Sequence, residues 1–220
     1  MQILFDLDGT LADSRDGITA CLLHALADAG VPAPPLEELS SCIGPPLATS
    51  FATLLGTNDP ARIERAIALY RQRYEEEGVL QHVLYPGVLD MLSALRGDGH
   101  WLGIVTAKPR VYATRIVEHL GIDSLVTHVL GPDLSARRYT KETLIRSACA
   151  EWKISPGAVV FGDRADDVSG AKANGLQAVG VTWGYGSFDE LRAAEPDRLA
   201  DHPAEVVDIV RLVCEVKELR

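Results

Sequence analysis

Gln2-Ile3-Leu4-Phe5-Asp6-Leu7-Asp8-Gly9-Thr10 opens the chain, and this stretch decides the fold. The run from Gln2 to Asp6 is short, apolar and followed at once by turn residues, which reads as a buried strand. In extended chain, residues two apart point to the same side, so Asp6 and Asp8 face one site. Open α/β sheets bind ligands at the carboxyl ends of their strands. Gly9 permits a tight turn and a close approach of backbone amides to a ligand. Gly9 and Thr10 are therefore read as substrate-contacting. Asp is also common wherever strands end. The pair gains its weight from three further matches downstream.

Working outward, strand-like runs recur at 101–106, 128–130, 158–162 and 178–181, with helical patterns at 88–95, 109–120, 141–152 and 165–174 between them. This alternation predicts a doubly wound parallel α/β sheet covered by helices on both faces. One stretch breaks the rhythm. From Ser14 to Val83 there are only helical patterns, punctuated by Gly30-Val31-Pro32, Pro34-Pro35, Gly44-Pro45-Pro46 and Gly56-Thr57-Asn58-Asp59-Pro60. The expected organisation is a core of residues 1–13 and 84–220, interrupted by a helical insert of residues 14–83. The tail, 204–219, reads as a closing amphipathic helix.

The 220 residues are 47% hydrophobic, enough for one large core or a core with a satellite, and too apolar for disorder. Lys and Arg number 21 against 31 Asp and Glu, giving a net charge of −10. That balance argues against nucleic-acid binding, which needs basic surface to displace counterions. Cys21, Cys42, Cys149 and Cys214 form no CxxC pair and read as small apolar residues in a reducing compartment. No basic leader with a cleavage site precedes the first strand, and no apolar run approaches a membrane span. The expectation is a soluble cytoplasmic protein without a membrane partner.

Two of the downstream matches carry chemistry by residue type. In Gly103-Ile104-Val105-Thr106-Ala107-Lys108-Pro109 an apolar strand ends in a hydroxyl, and Pro109 suits a helix start. A Thr hydroxyl and neighbouring amides, Ala107 among them, are good phosphate donors at such a junction. Lys108 reads as a solvated helix-start residue outside the site. In Val159-Val160-Phe161-Gly162-Asp163-Arg164-Ala165-Asp166-Asp167 a strand runs through Gly-Asp into a helix. Asp163 and Asp167 are four apart and share a face of the first turn. Acidic residues there can simply complement the helix dipole. Clustered carboxylates are also what a hard cation such as Mg²⁺ requires.

Phe5-Asp6-Leu7-Asp8-Gly9-Thr10-Leu11-Ala12-Asp13-Ser14 resembles the first motif of the haloacid dehalogenase-like hydrolases, and the Gly162–Asp167 segment resembles their fourth. The resemblance covers essentially the whole chain. It implies that Asp6 attacks phosphorus to form an aspartyl phosphate, and that Asp8 protonates the leaving group and then activates water. It assigns Thr106 to phosphate binding and Lys141, at a helix start after the third strand, to neutralising the phosphoryl group. Arg137 and Arg138 are nearby rivals for that role. It implies Mg²⁺ held by Asp6, Asp163 and the Asp8 backbone carbonyl, with Asp167 or Asp166 holding metal-bound waters. The helical insert matches the family's cap. Its Ile43-Gly44-Pro45-Pro46 segment resembles a substrate-facing loop of phosphoglycolate phosphatase-like members, which puts Gly44 among the substrate contacts. Gly180-Val181-Thr182-Trp183-Gly184-Tyr185-Gly186 resembles the same group, with its aromatics read as packing.

The resemblance also sorts reactions. Asp8 and the Asp163 cluster argue against dehalogenation. No Lys precedes Lys108, which removes a cap Schiff base and with it phosphonoacetaldehyde hydrolysis. Sugar phosphomutases commonly carry Val after Asp-Gly, so Thr10 favours a phosphatase. The expected enzyme is a Mg²⁺-dependent phosphatase of a small phosphorylated metabolite, phosphoglycolate-like or a nucleoside monophosphate. A β-phosphoglucomutase-like mutase and a non-catalytic phosphate-binding module are the alternatives. Monomer and homodimer both stay open.

Overall fold

The structure is a computed structural model and describes residues 1–135 and 139–218. Arg137, Arg138 and Leu219 lie outside the described residues. The chain divides into two compact units, Met1–Ala12 with Leu84–Arg220, and Asp13–Val83.

The first unit holds a six-stranded parallel sheet. Its strands are β1 (Gln2–Phe5), β4 (Trp101–Val105), β5 (His128–Leu130), β6 (Val159–Gly162), β7 (Gln177–Val181) and β8 (Arg198–Ala200). They lie in the order β5-β4-β1-β6-β7-β8. The connections are α5 (Val88–Gly97), α6 (Arg110–His119), α7 (Lys141–Trp152), α8 (Ala165–Ala173), α9 (Phe188–Ala193) and the closing α10 (Pro203–Glu218). The sequence pattern anticipates this doubly wound α/β arrangement, and misses only the short β8 and α9 and the two-residue strands β2 (Ala12–Asp13) and β3 (Val83–Leu84).

Alternation decides what each strand residue meets. Leu4, Val160 and Ala178 join Leu144, Ile145 and Ala148 of α7 and Val168 and Ala171 of α8 in one buried cluster. Phe5 and Phe161 point the other way and stack, ring centroids 5.2 Å apart. A sheet buried on both faces needs near-continuous apolar strands, and β1 and β6 supply them. Register then positions the site. Phe5 pairs with Ile104 on one side and Phe161 on the other. The residues that follow those strands, Asp6, Thr106 and Asp163, therefore emerge side by side. The Asp6 amide continues the ladder by donating to Phe161 O at 2.9 Å.

The second unit contains α1 (Arg15–Asp28), α2 (Leu36–Ser41), α3 (Leu47–Leu54) and α4 (Pro60–Glu76), closed by a single 3₁₀ turn, Gly78–Leu80. Helix α1 packs on α4, and α3 packs on α4 as well. Asp59 caps α4 by accepting from the Ala61 amide at 3.0 Å, with Pro60 in the first helical position where its missing N–H costs nothing. The core of this unit is aromatic. Phe51 meets Tyr70 edge-on, Tyr70 stacks on Tyr74, and the Tyr74 hydroxyl lies 3.3 Å from His82 Nε2. The chain passes between the units through β2 (Ala12–Asp13) and β3 (Val83–Leu84), which pair with each other. Among the described residues, no helix is long and apolar enough to cross a membrane.

Candidate active site

Five segments at the carboxyl ends of the parallel strands build the site. From the end of β1 comes Asp6, and its Oδ1 lies 2.8 Å from Lys141 Nζ. Lys141 is the first residue of α7. Thr140 caps that helix through its side chain and Thr143, so the start of α7 is fixed where the ammonium is needed. The same ammonium reaches Asp167 Oδ1, on α8, at 2.7 Å. Lys141, Asp6 and Asp167 are all buried. Outside its ion pair, Asp6 Oδ1 has no hydrogen-bond partner among the described residues.

Asp163 follows β6 and is fully buried. Its Oδ1 accepts from the Thr10 hydroxyl at 3.2 Å, and its Oδ2 from the Tyr185 and Gly186 amides at 2.8 and 3.4 Å. Asp6, Asp163 and Asp167 each offer a carboxylate oxygen, all within 4.8 Å of one another. Asp166 is exposed, while Asp167 also accepts from the Arg164 amide at 3.1 Å.

The charges of this cluster are mutually strained. Burial, then the charges of Asp167 and Asp6, push Asp163 up to about 7, against the pull of its backbone donors. Burial also raises Asp167, to about 6, with Lys141 opposing and Asp6 assisting. Burial alone would lower Lys141, but Asp167 and Asp6 outweigh it and hold the ammonium above the ordinary lysine range.

Thr106 is buried after β4, and its hydroxyl accepts from the Lys108 amide at 3.2 Å. Ala107, half-buried, lies between them. Lys108 corrects the sequence reading, because it is not solvated. Only 9% of it is exposed, and its Nζ lies 3.0 Å from Asp8 Oδ2. A lysine at a helix start carries no sequence mark of burial. The available signals are its place two residues after Thr106 and the scarcity of lysine in the chain.

The 180–186 loop is also more than packing. The Trp183 indole N–H donates to Thr10 O at 3.0 Å, and the Tyr185 amide is an Asp163 donor. Gly9 has φ 84°, and a side chain there would run into the Asp163 carboxylate. A side chain at Gly186 would run into the Asp163 carbonyl. Gly44 belongs to the helical unit, between α2 and α3.

The donor set fits a hard divalent cation. Four carboxyl groups (Asp6, Asp8, Asp163, Asp167) meet two ammonium groups (Lys108, Lys141), so acidic groups outnumber the basic ones there. Beyond Lys141, Asp6 Oδ1 has no partner among the described residues, and burial together with the neighbouring carboxylates pushes Asp163 up, a repulsion between carboxylates that a bound cation would relieve. An all-oxygen set of this kind suits Mg²⁺ or a similar ion.

Known proteins resemble this chain over most of its length. The sequence profile of the haloacid dehalogenase-like hydrolases matches residues 3–181. A 5'-nucleotidase of Pseudomonas aeruginosa is 41% identical over 196 residues, covering 89% of this chain and 88% of that one. A phosphoglycolate phosphatase of Pseudomonas putida is 30% identical over 206 residues, covering 90% of this chain and 75% of that one. The crystal structure of a predicted phosphatase from Clostridium acetobutylicum superposes with a TM-score of 0.88 at 34% identity, covering 95% of this chain and 97% of that one. The chain therefore belongs to the haloacid dehalogenase-like hydrolase family, as a phosphoric monoester hydrolase.

Proposed function

We propose that the chain is a Mg²⁺-dependent phosphatase that hydrolyses nucleoside 5'-monophosphates through an aspartyl phosphate on Asp6. One observation carries the mechanism: a buried ammonium, Lys141, lies 2.8 Å from Asp6 and 2.7 Å from Asp167, with Asp163 completing a carboxylate cluster. The choice of substrate rests on the 41% identity to a 5'-nucleotidase. Phosphoglycolate is the second reading, favoured by the 30% relative and by the Ile43–Pro46 segment.

In this reading Asp6 attacks phosphorus in line. Its Oδ–P bond forms as the ester P–O bond breaks, and Asp8 gives its proton to the departing oxygen. Asp8 then takes a proton from the water that attacks the aspartyl phosphate. Inorganic phosphate leaves and Asp6 is restored. Lys141 and Thr106 stabilise the equatorial oxygens, where charge spreads in the transition state. Gly9, Thr10 and Ala107 line the phosphate subsite with backbone. Mg²⁺ would be held by Asp6, Asp163 and the Asp8 carbonyl, with Asp167 beside it, and supplies charge neutralisation there. The helical unit, inserted between the Asp8 turn and Thr106, is assigned the cap role and substrate choice, Gly44 included. None of the four cysteines forms a disulfide among the described residues, which suits a reducing cytoplasm. The partner required is a small phosphorylated metabolite, and size-exclusion mass separates monomer from homodimer.

The test is phosphate release by the purified protein with Mg²⁺ from nucleoside 5'-monophosphates, phosphoglycolate and sugar phosphates. The highest kcat/KM is expected on a nucleotide. Asp6→Asn should lower kcat at least about a thousandfold while keeping the fold, and EDTA should remove activity. A preference for phosphoglycolate selects the second reading, and isomerisation of a sugar phosphate selects a mutase. Release from none overturns the enzyme reading in favour of a binding module.

A further inference from the structure

We propose that Lys108 is a positioning residue for the acid–base carboxylate: its ammonium pins Asp8 and keeps that carboxyl apart from the cluster of Asp6, Asp163 and Asp167. The proposal rests on the phosphatase reading above and extends it to a residue with no assigned part in it.

Three observations carry it. First, the pair is buried. Lysine is almost never buried unless paired, and here Lys108 Nζ lies 3.0 Å from Asp8 Oδ2 with side-chain exposures of only 6% and 12%. Second, both backbones are fixed. The Lys108 amide donates to the Thr106 hydroxyl at 3.2 Å. On either side of it, Thr106 N donates to Leu130 O and Arg110 N to Pro132 O, both at 3.0 Å. A side chain at Gly131 would overlap Lys108 O, so the chain after β5 is moulded against this residue. Asp8 sits in a turn closed by the Leu11 and Ala12 amides on Leu7 O, both at 2.9 Å. Third, the two lysines divide the carboxylates. Lys141 takes Asp6 and Asp167, Lys108 takes Asp8, and the Asp8 carboxylate is not a member of the three-carboxylate cluster.

The division has a chemical purpose. A carboxylate drawn onto a cation is a poor proton carrier. Asp8 must present one oxygen first to the leaving group and then to water, which demands a fixed rotation. An ammonium on Oδ2 fixes it. Lys108 acts through Asp8 and is not itself a proton carrier.

The experiment is a double-mutant cycle between Lys108→Met and Asp8→Asn, measured with Mg²⁺ on the best substrate of the panel. Lys108→Met alone should lower kcat roughly ten- to hundredfold with KM changed less than about twofold. In the Asp8→Asn background it should cost nothing further. Lys108→Arg, which keeps the charge, should recover part of the loss. Thermal midpoints establish that each variant is folded, and Lys108→Gln replaces Lys108→Met if the latter does not fold. Equal losses in both backgrounds overturn the inference, since Lys108 would then act independently of Asp8. A raised KM with kcat unchanged overturns it too, making Lys108 a substrate ligand. Unchanged kinetics in an active enzyme overturn it while leaving the phosphatase reading intact. An inactive wild type is the failure of that reading instead.

Discussion

Asp163 shows what one buried carboxylate does to its own fold. Its neutral form is favoured in the folded state, with the group raised from 3.8 to about 7. A raised folded value means the contribution to stability is fully present below 3.8 and is lost as pH rises toward 7. Asp163→Asn removes that penalty while an amide oxygen can still accept from the Tyr185 and Gly186 amides. In EDTA, the variant should therefore melt above wild type by a margin that widens between about pH 4 and 7 and then levels. The margin is bounded by roughly 4 kcal/mol, at about 1.4 kcal/mol per unit, and each kcal/mol is worth about 2–4 °C in a chain this size. Thermal melts across pH check it, and a margin that shrinks with pH would contradict the charge account. Asp6, Asp8, Asp163 and Asp167 were legible as candidates because each follows an apolar strand or opens a helix. Lys108 was not, since its partner Asp8 is about 100 residues away in sequence and only strand pairing brings them together.

At the scale of elements, the segment between β7 and α9 has the least obvious sequence and a demanding geometry. Its backbone amides hold Asp163, and backbone donors leave no mark in composition. Gly186→Ala should disturb the donors on Asp163, cost about 1–3 kcal/mol, and weaken Mg²⁺ activation more than it weakens the fold. The checks are a Mg²⁺ titration of activity beside a urea melt. An unchanged Mg²⁺ midpoint would show that the loop is not part of the cation site. Strand β8 escaped the sequence reading for a related reason. Arg198-Leu199-Ala200 has no β-branched residue to mark it, unlike the equally short His128-Val129-Leu130 of β5, and β8 follows only from its pairing with β7. Helix α9, at six residues, is also short, and its Ser187 side chain caps it by accepting from the Glu190 amide. Helices α4 and α7 were legible because their apolar spacing agrees with the caps at Asp59 and Thr140.

For the whole molecule, the −10 total conceals one site where four carboxyl groups gather around two lysines. A divalent ion should therefore stabilise the entire fold by mass action. At one hundred times its dissociation constant, Mg²⁺ should add about 2.7 kcal/mol, near 5–10 °C at the conversion above. Differential scanning calorimetry with Mg²⁺ and then EDTA measures it. A midpoint indifferent to Mg²⁺ would remove the cation from the site.

The register of β1 has a further consequence, for the order of assembly. Phe5 is made early, yet its partners Ile104 and Phe161 are made about 100 and 155 residues later. At ribosomal rates the wait for β6 is on the order of ten seconds. The helical unit, built from contacts between near neighbours in sequence, can fold during that wait, whereas parallel pairing across such distances is slow. The central strand of the sheet, which leads into Asp6, thus spends its first seconds as an unpaired apolar edge, the state most exposed to aggregation. The carboxylate cluster is among the last features to form, because it comes into being only when the sheet closes around β1.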